Sequence, residues 1–183
     1  MIIFARIGAF VAAAALFGNA FAQPKSDWEI KMETRDWQEA EIKLPAYPKP
    51  ADLIEFEASA ASTFRFFVDS QSITAGRDGA VRYTMMARSS SGAENVSFNG
   101  LRCKTNAHRV YATGRSDKTW TPVPNSDWNE LQQKTVTRQH IALMRDFFCP
   151  SGSPILTREE GIEALRQGIH PHAVSYQPGL GKR

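Results

Sequence analysis

The chain has 183 residues, 22 basic and 19 acidic, with a formal net charge of +3, 42% hydrophobic side chains and two cysteines. That length builds one domain with a full hydrophobic core and is too short for two ordinary ones. Near-balanced charge supplies no global attraction for nucleic acid or for an acidic membrane, and no nucleic-acid partner is expected.

Arg6 precedes an apolar run from Ile7 to Phe17, and Ala20 and Ala22, on either side of Phe21, supply the small residues of a cleavage position. Residues 1–22 therefore read as a signal peptide cut between Ala22 and Gln23, and the mature chain is expected in the periplasm. The apolar run is shorter than the roughly 18–20 residues that span a bilayer, so no transmembrane segment is expected after cleavage; retention as an uncleaved anchor is the alternative. Loss of Arg6 with the leader lowers the net charge from +3 to +2.

Residues 23–50 read as an extended, proline-rich arm, because Pro45, Pro48 and Pro50 forbid a regular helix. Its stretch 27–41 carries six acids against Lys31 and Arg35. Residues 51–168 form the expected domain. From Leu53 to Arg115 apolar and polar residues alternate with period two, the mark of an antiparallel sheet. Phe64, Phe66 and Val68 share one face of a strand; Val81, Tyr83, Met85 and Ala87 share one face of another. Between them Asp78-Gly79 predicts a tight hairpin turn, since such turns need positive φ.

The next strand breaks phase, with Val96 and Phe98 on one parity and Leu101 and Cys103 on the other. A bulge at Gly100 would return all four to the core side. Val110, Ala112 and Gly114 then alternate with Arg109, Tyr111, Thr113 and Arg115. From about Asp127 to Phe148 the period becomes helical, with a capping box from Asp127 and Glu130 and an apolar stripe of Val136, His140, Met144 and Phe147. A shorter helix starts at Thr157, capped reciprocally by Glu160, and stops near Gly168. Residues 169–183 read as a disordered tail. The fold class is α+β: a twisted antiparallel sheet of about five strands with a C-terminal helix packed on one face.

Cys103 and Cys149 form an even pair, which in an exported chain is expected to be a disulfide. The rival is a catalytic thiol at Cys149, but His140 lies nine residues earlier, on roughly the opposite helix face. The stretches Phe67-Val68-Asp69, Gly76-Arg77-Asp78-Gly79-Ala80-Val81-Arg82-Tyr83-Thr84, Ser91-Gly92-Ala93-Glu94-Asn95-Val96-Ser97 and Gly100-Leu101-Arg102-Cys103 resemble the cryptic neisserial protein (CNP-like) family of exported proteobacterial proteins. Leu44-Pro45-Ala46-Tyr47-Pro48, Trp120, Trp128 and Phe147-Phe148-Cys149 fit the same resemblance, which covers roughly residues 28–150. It implies a domain associated with the Gram-negative envelope, and it carries over no catalytic residue.

The candidate site is a surface. Arg82, Arg88, Arg102, Lys104, Arg109 and Arg115 gather on the outer face of the meander, with Tyr111, Asn99 and Thr113 among them and Glu94 the one acid, giving about +5 locally. Guanidinium forks suit phosphates and carboxylates, so the face could take an anionic ligand or an envelope protein. Equally, the acidic arm could fold over the face and neutralise it. His140 reads as a hydrogen-bonded core residue. His170 and His172 are too few for a closed metal site, so no metal or cofactor is expected. No nucleophile elbow, zinc-binding helix or phosphate loop occurs. The sequence favours a non-catalytic binding or envelope-assembly module; a small hydrolase or thiol-redox enzyme is the alternative.

Overall fold

A computed structural model of the protein describes residues 37–60, 62–132 and 137–175. The expected signal peptide 1–22 with its Ala22–Gln23 junction, the arm as far as residue 36, Val136 and residues 176–183 lie outside the described residues.

Eight antiparallel strands form one sheet: β1 Leu53–Phe56, β2 Arg65–Asp69, β3 Thr74–Ala75, β4 Ala80–Arg88, β5 Glu94–Arg102, β6 Ala107–Gly114, β7 Trp120–Pro122 and β8 Asn129–Glu130. Their order is β1-β2-β4-β5-β6-β7, with β3 beside β4 and β8 beside β6. The five strands read from the sequence correspond to β2 through β6, the two-residue β3 being legible only as the first arm, Ser72-Ile73-Thr74, of the Asp78-Gly79 hairpin. Those missed are four residues or shorter, too brief to show a period of two. Asp78-Gly79 does form the β3–β4 turn, with Gly79 at φ 74° and its N–H donating to Gly76 O at 3.0 Å.

The expected helix from Asp127 is corrected. Asn129 and Glu130 pair with His108 and Ala107 of β6, and Trp128 packs against Tyr111, so this segment is held at the sheet rather than coiled. The helix α1 spans Arg138–Ala142 and continues as a π-helical stretch, Leu143–Phe148. Its buried residues are those of the apolar stripe: His140, Met144 and Phe147, with Ala142, Leu143 and Phe148. The second helix, α2, spans Arg158–Gln167. The Thr157 hydroxyl accepts from Glu160 N, Gly168 closes the far end, and the Glu160 carboxylate accepts from Leu156 N one position before the cap.

The reading of 169–183 as a disordered tail is corrected as far as residue 175. Pro171–Ser175 form a 3-10 turn, His170 N donates to Asp146 O at 2.7 Å, and His170 and Ala173 are buried. Among the described residues no helix is long and apolar enough to cross a membrane.

The main core lies between the sheet and the helices, where Phe56, Val68, Val81, Tyr83 and Leu101 meet Leu143, Phe147, Phe148, Ile155 and Leu165. Cys103, just past β5, is bonded to Cys149 at the end of the π-helical stretch, with Cα atoms 5.4 Å apart, within the usual span of a disulfide. The opposite, rear face of the sheet is also buried. Phe67, Met86 and Val96 form one patch with Tyr47 and Trp120, and Phe98, Tyr111 and Ala112 another with Ile42, Trp120 and Trp128.

This second core corrects the bulge expected at Gly100. β5 pairs with β4 without interruption, so Val96 and Phe98 stay on the rear face while Leu101 faces the helices. The extra residue is Tyr111 in β6, where Phe98 faces Ala112 but Asn99 faces Val110. The phase break records a strand with two dry faces.

Candidate functional site: an arginine cluster under the N-terminal arm

Three adjacent strands bring their rear-facing cations together, because Arg82 of β4 lies opposite Gly100 of β5, and Gly100 opposite Arg109 of β6. A glycine between two arginines leaves a hollow. The Tyr111 ring, turned by the β6 bulge, fills it so closely that a Cβ on Gly100 would lie 2.7 Å from the Tyr111 hydroxyl and 2.8 Å from Trp128.

Over this hollow runs the arm, residues 37–49, held by side chains rather than by strand pairing. Trp37 donates its indole N–H to Asp78 O at 2.7 Å, and Ala40 N donates to the Asp78 carboxylate at 2.9 Å. Further along, Trp120 donates to Pro45 O at 2.9 Å and Tyr47 packs on the Trp120 ring at 5.4 Å. Between these anchors Glu39 dips into the cluster. It accepts from Arg109 at 2.6 Å and from the Tyr111 hydroxyl at 2.5 Å, with Arg82 at 3.4 Å.

Arg82 is 6% exposed, a position that a cation tolerates only when paired. Its main partner is Asp78, four residues back across the hairpin turn, at 2.5 and 3.2 Å. Burial alone would favour neutral forms of both groups. Their mutual hydrogen bonds, with those from Ala40 and Ala80 N–H to Asp78, outweigh it, leaving the carboxyl below its ordinary range and the guanidinium above its own. Burial, then the bond to Glu39, pushes the Tyr111 hydroxyl up, so it remains a donor. Arg102 has a different environment, with its guanidinium 3.7 Å from the Trp37 ring centre and 5.8 Å from that of Trp128. Burial lowers its pKa, against the pull of Glu39 and Asp78.

The structure thus gathers Arg82, Arg102, Arg109 and Tyr111 and leaves the other expected members apart. Arg88 pairs with Glu94 at 2.8 Å over the Phe67 ring, and exposed Arg115 lies 3.8 Å from Asp117. Lys104 sits in the 3-10 turn after β5. Asn99 belongs to the helix face, opposite Tyr83, where its carbonyl accepts from His108 at 3.2 Å. There His108 stacks on His140 at 3.8 Å, and His140 Nδ1 shares a 2.8 Å hydrogen bond with the Tyr83 hydroxyl. His140 is accordingly a hydrogen-bonded core residue.

Sequence reasoning missed Glu39, Asp78, Trp37 and Trp128 as members of the site. Charge complementarity between the 27–41 stretch and the sheet was the available signal; it names the arm but not the residue. The arrangement binds a carboxylate with two guanidiniums and a phenol, and it has donors to spare. Among the described residues, Arg82 Nε, Arg109 Nε and Trp128 Nε1 are buried without an acceptor. Neither sulfur of the Cys103–Cys149 disulfide is a thiolate, the species a cysteine nucleophile requires.

The CNP1-like family model matches residues 32–166, from within the arm to the last turn of α2. The chain is also 22% identical over 162 residues to cryptic neisserial protein 1 of Neisseria gonorrhoeae, covering 80% of this chain and 77% of that protein. No solved structure matches. With the match running through the arm, every long strand and the disulfide, the chain belongs to the CNP1-like family.

Proposed function

We propose that the protein is exported to the periplasm and acts there as a non-catalytic binding or envelope-assembly module, whose rear sheet face takes an anionic group presented by a partner. The observation that supports this most is the surplus of donors around Glu39. Among the described residues, Arg82 Nε, Arg109 Nε and Trp128 Nε1 are buried without an acceptor, although an unpaired buried donor costs about 1–3 kcal/mol. The terminal nitrogens of Arg82 and Arg109 are already paired with Asp78 and Glu39, so these further donors point to a pocket shaped for more negative charge than those two carboxylates supply. Glu39 is then the resident carboxylate, and a partner's carboxylate or phosphate takes its place when the arm lifts.

The test uses the mature, oxidised protein as wild type, Glu39→Gln and Arg109→Gln, each passed over immobilised envelope fractions at low and at moderate salt. Glu39→Gln is expected to be retained more strongly than wild type and Arg109→Gln less, with both differences shrinking as salt rises. Equal retention of all three proteins would end the proposal.

A further inference from the structure

On the helix face, the ends of β2, β4 and β5 extend past the start of α1 and leave a groove of about 420 Å³. Its floor is set by register: Phe66 lies opposite Ala87, and Ala87 opposite Asn95. One wall comes from the β1–β2 connection, with Ala58 and Phe64. Phe64 is 42% exposed, unusual for a large apolar ring flanking a core. Its position is fixed by the Ser62 hydroxyl, which bonds both its N–H and its carbonyl at 3.1 Å, and its ring lies 6.4 Å from that of Phe66. Exposed Arg138 lines the groove and pairs with no carboxylate among the described residues.

We infer that this groove binds a single fatty-acyl chain ending in a carboxylate, with the chain along Phe64, Phe66 and Ala87 and the carboxylate on Arg138. One cation beside a mostly apolar groove selects a ligand that is hydrophobic along its body and singly anionic at one end. The volume lies near the small end of ligand sites, which run from about 300 to 1,000 Å³, so it suits one chain rather than a two-chain lipid. No catalytic step is involved. The groove lies on the opposite side of the sheet from Glu39, so the two sites fail or succeed separately.

The experiment is a calorimetric titration of the mature, oxidised protein with octanoate, decanoate and dodecanoate below their micellar concentrations. Saturable one-site binding is expected, with affinity rising roughly fourfold per added methylene until the groove is filled. Arg138→Gln, an exposed substitution that leaves the core intact, should weaken dodecanoate about tenfold, the worth of one charge-assisted hydrogen bond. Ala87→Leu, which fills the floor, should weaken it further, and Glu39→Gln should leave it unchanged. The inference is overturned by absence of saturable binding, or by unchanged affinity in both groove variants. It is overturned as well if phosphatidylglycerol vesicles bind in an Arg138-dependent way while free dodecanoate does not, since the occupant would then be a membrane surface.

Discussion

Acidification from pH 7 to pH 4 places a proton on histidines free in water, whereas His108 is half-buried on the helix face of the sheet with its ring stacked on His140. Burial lowers its pKa to about 4, against an ordinary 6.5. The folded chain therefore refuses a proton that the unfolded chain accepts, and stability falls as pH drops from about 6.5 toward 4. At 1.36 kcal/mol per pH unit of difference, the loss through His108 alone is about 2 kcal/mol at pH 5 and about 3 kcal/mol at pH 4. His140, held below its ordinary value by burial and then by its stacked neighbour, pushes in the same direction. Urea unfolding of the oxidised protein at pH 7, 5 and 4, beside His108→Gln, isolates the effect. Glutamine still offers an N–H to Asn99 but does not titrate, and the carboxylates respond alike in both proteins. Wild type should lose about 3 kcal/mol more than the variant between pH 7 and pH 4. Parallel stability curves would refute the assignment of a neutral, half-buried His108.

Other substitutions probe the remaining supports. The disulfide closes a sequence separation of 46 residues, for which the chain-entropy relation gives at most about 4 kcal/mol; a Cys103→Ala, Cys149→Ala protein should approach that loss in urea, and a loss under about 1 kcal/mol would show that it does not staple the fold. Gly100→Ala pushes a methyl against the Tyr111 hydroxyl and Trp128. It should cost about 1–3 kcal/mol and alter the near-ultraviolet circular dichroism of the tryptophans, whereas an unperturbed spectrum would mean the ring does not fill that hollow. Thr157→Ala removes the cap of α2 and should cost about 1 kcal/mol, read as a lower thermal midpoint.

Regular, long elements were legible because their periods are. The alternation of Val81, Tyr83, Met85 and Ala87 gave β4 its core face, and Thr157 with Gly168 bracketed α2. What misled was the assumption of one wet face. Val96 and Phe98 sit on the side opposite Leu101 because the arm dries that side with Tyr47 and Ile42, and nothing local to β5 announces a cover that comes from fifty residues away. The same blindness hid Glu39 within a general acidic stretch. It also let Asp127 and Glu130 pass as a helix cap, though tertiary pairing with β6 claims that segment. His140 was placed correctly from the apolar stripe; its partner His108 was not, because a histidine in an alternating strand looks like any half-polar residue.

The arm's manner of attachment has a bearing on how the chain reaches its final form. Glu39 meets Tyr111 across 72 positions, and Pro45 meets Trp120 across 75. Chains are made from the N-terminus, so the segment, which emerges ahead of β1 to β8, meets Asp78 of the β3–β4 turn first and lacks its partners Arg109, Tyr111 and Trp120 until β6 and β7 follow. Docking of that segment is thus a late event of low locality, slow to nucleate and exposed meanwhile to capture by any neighbouring polypeptide.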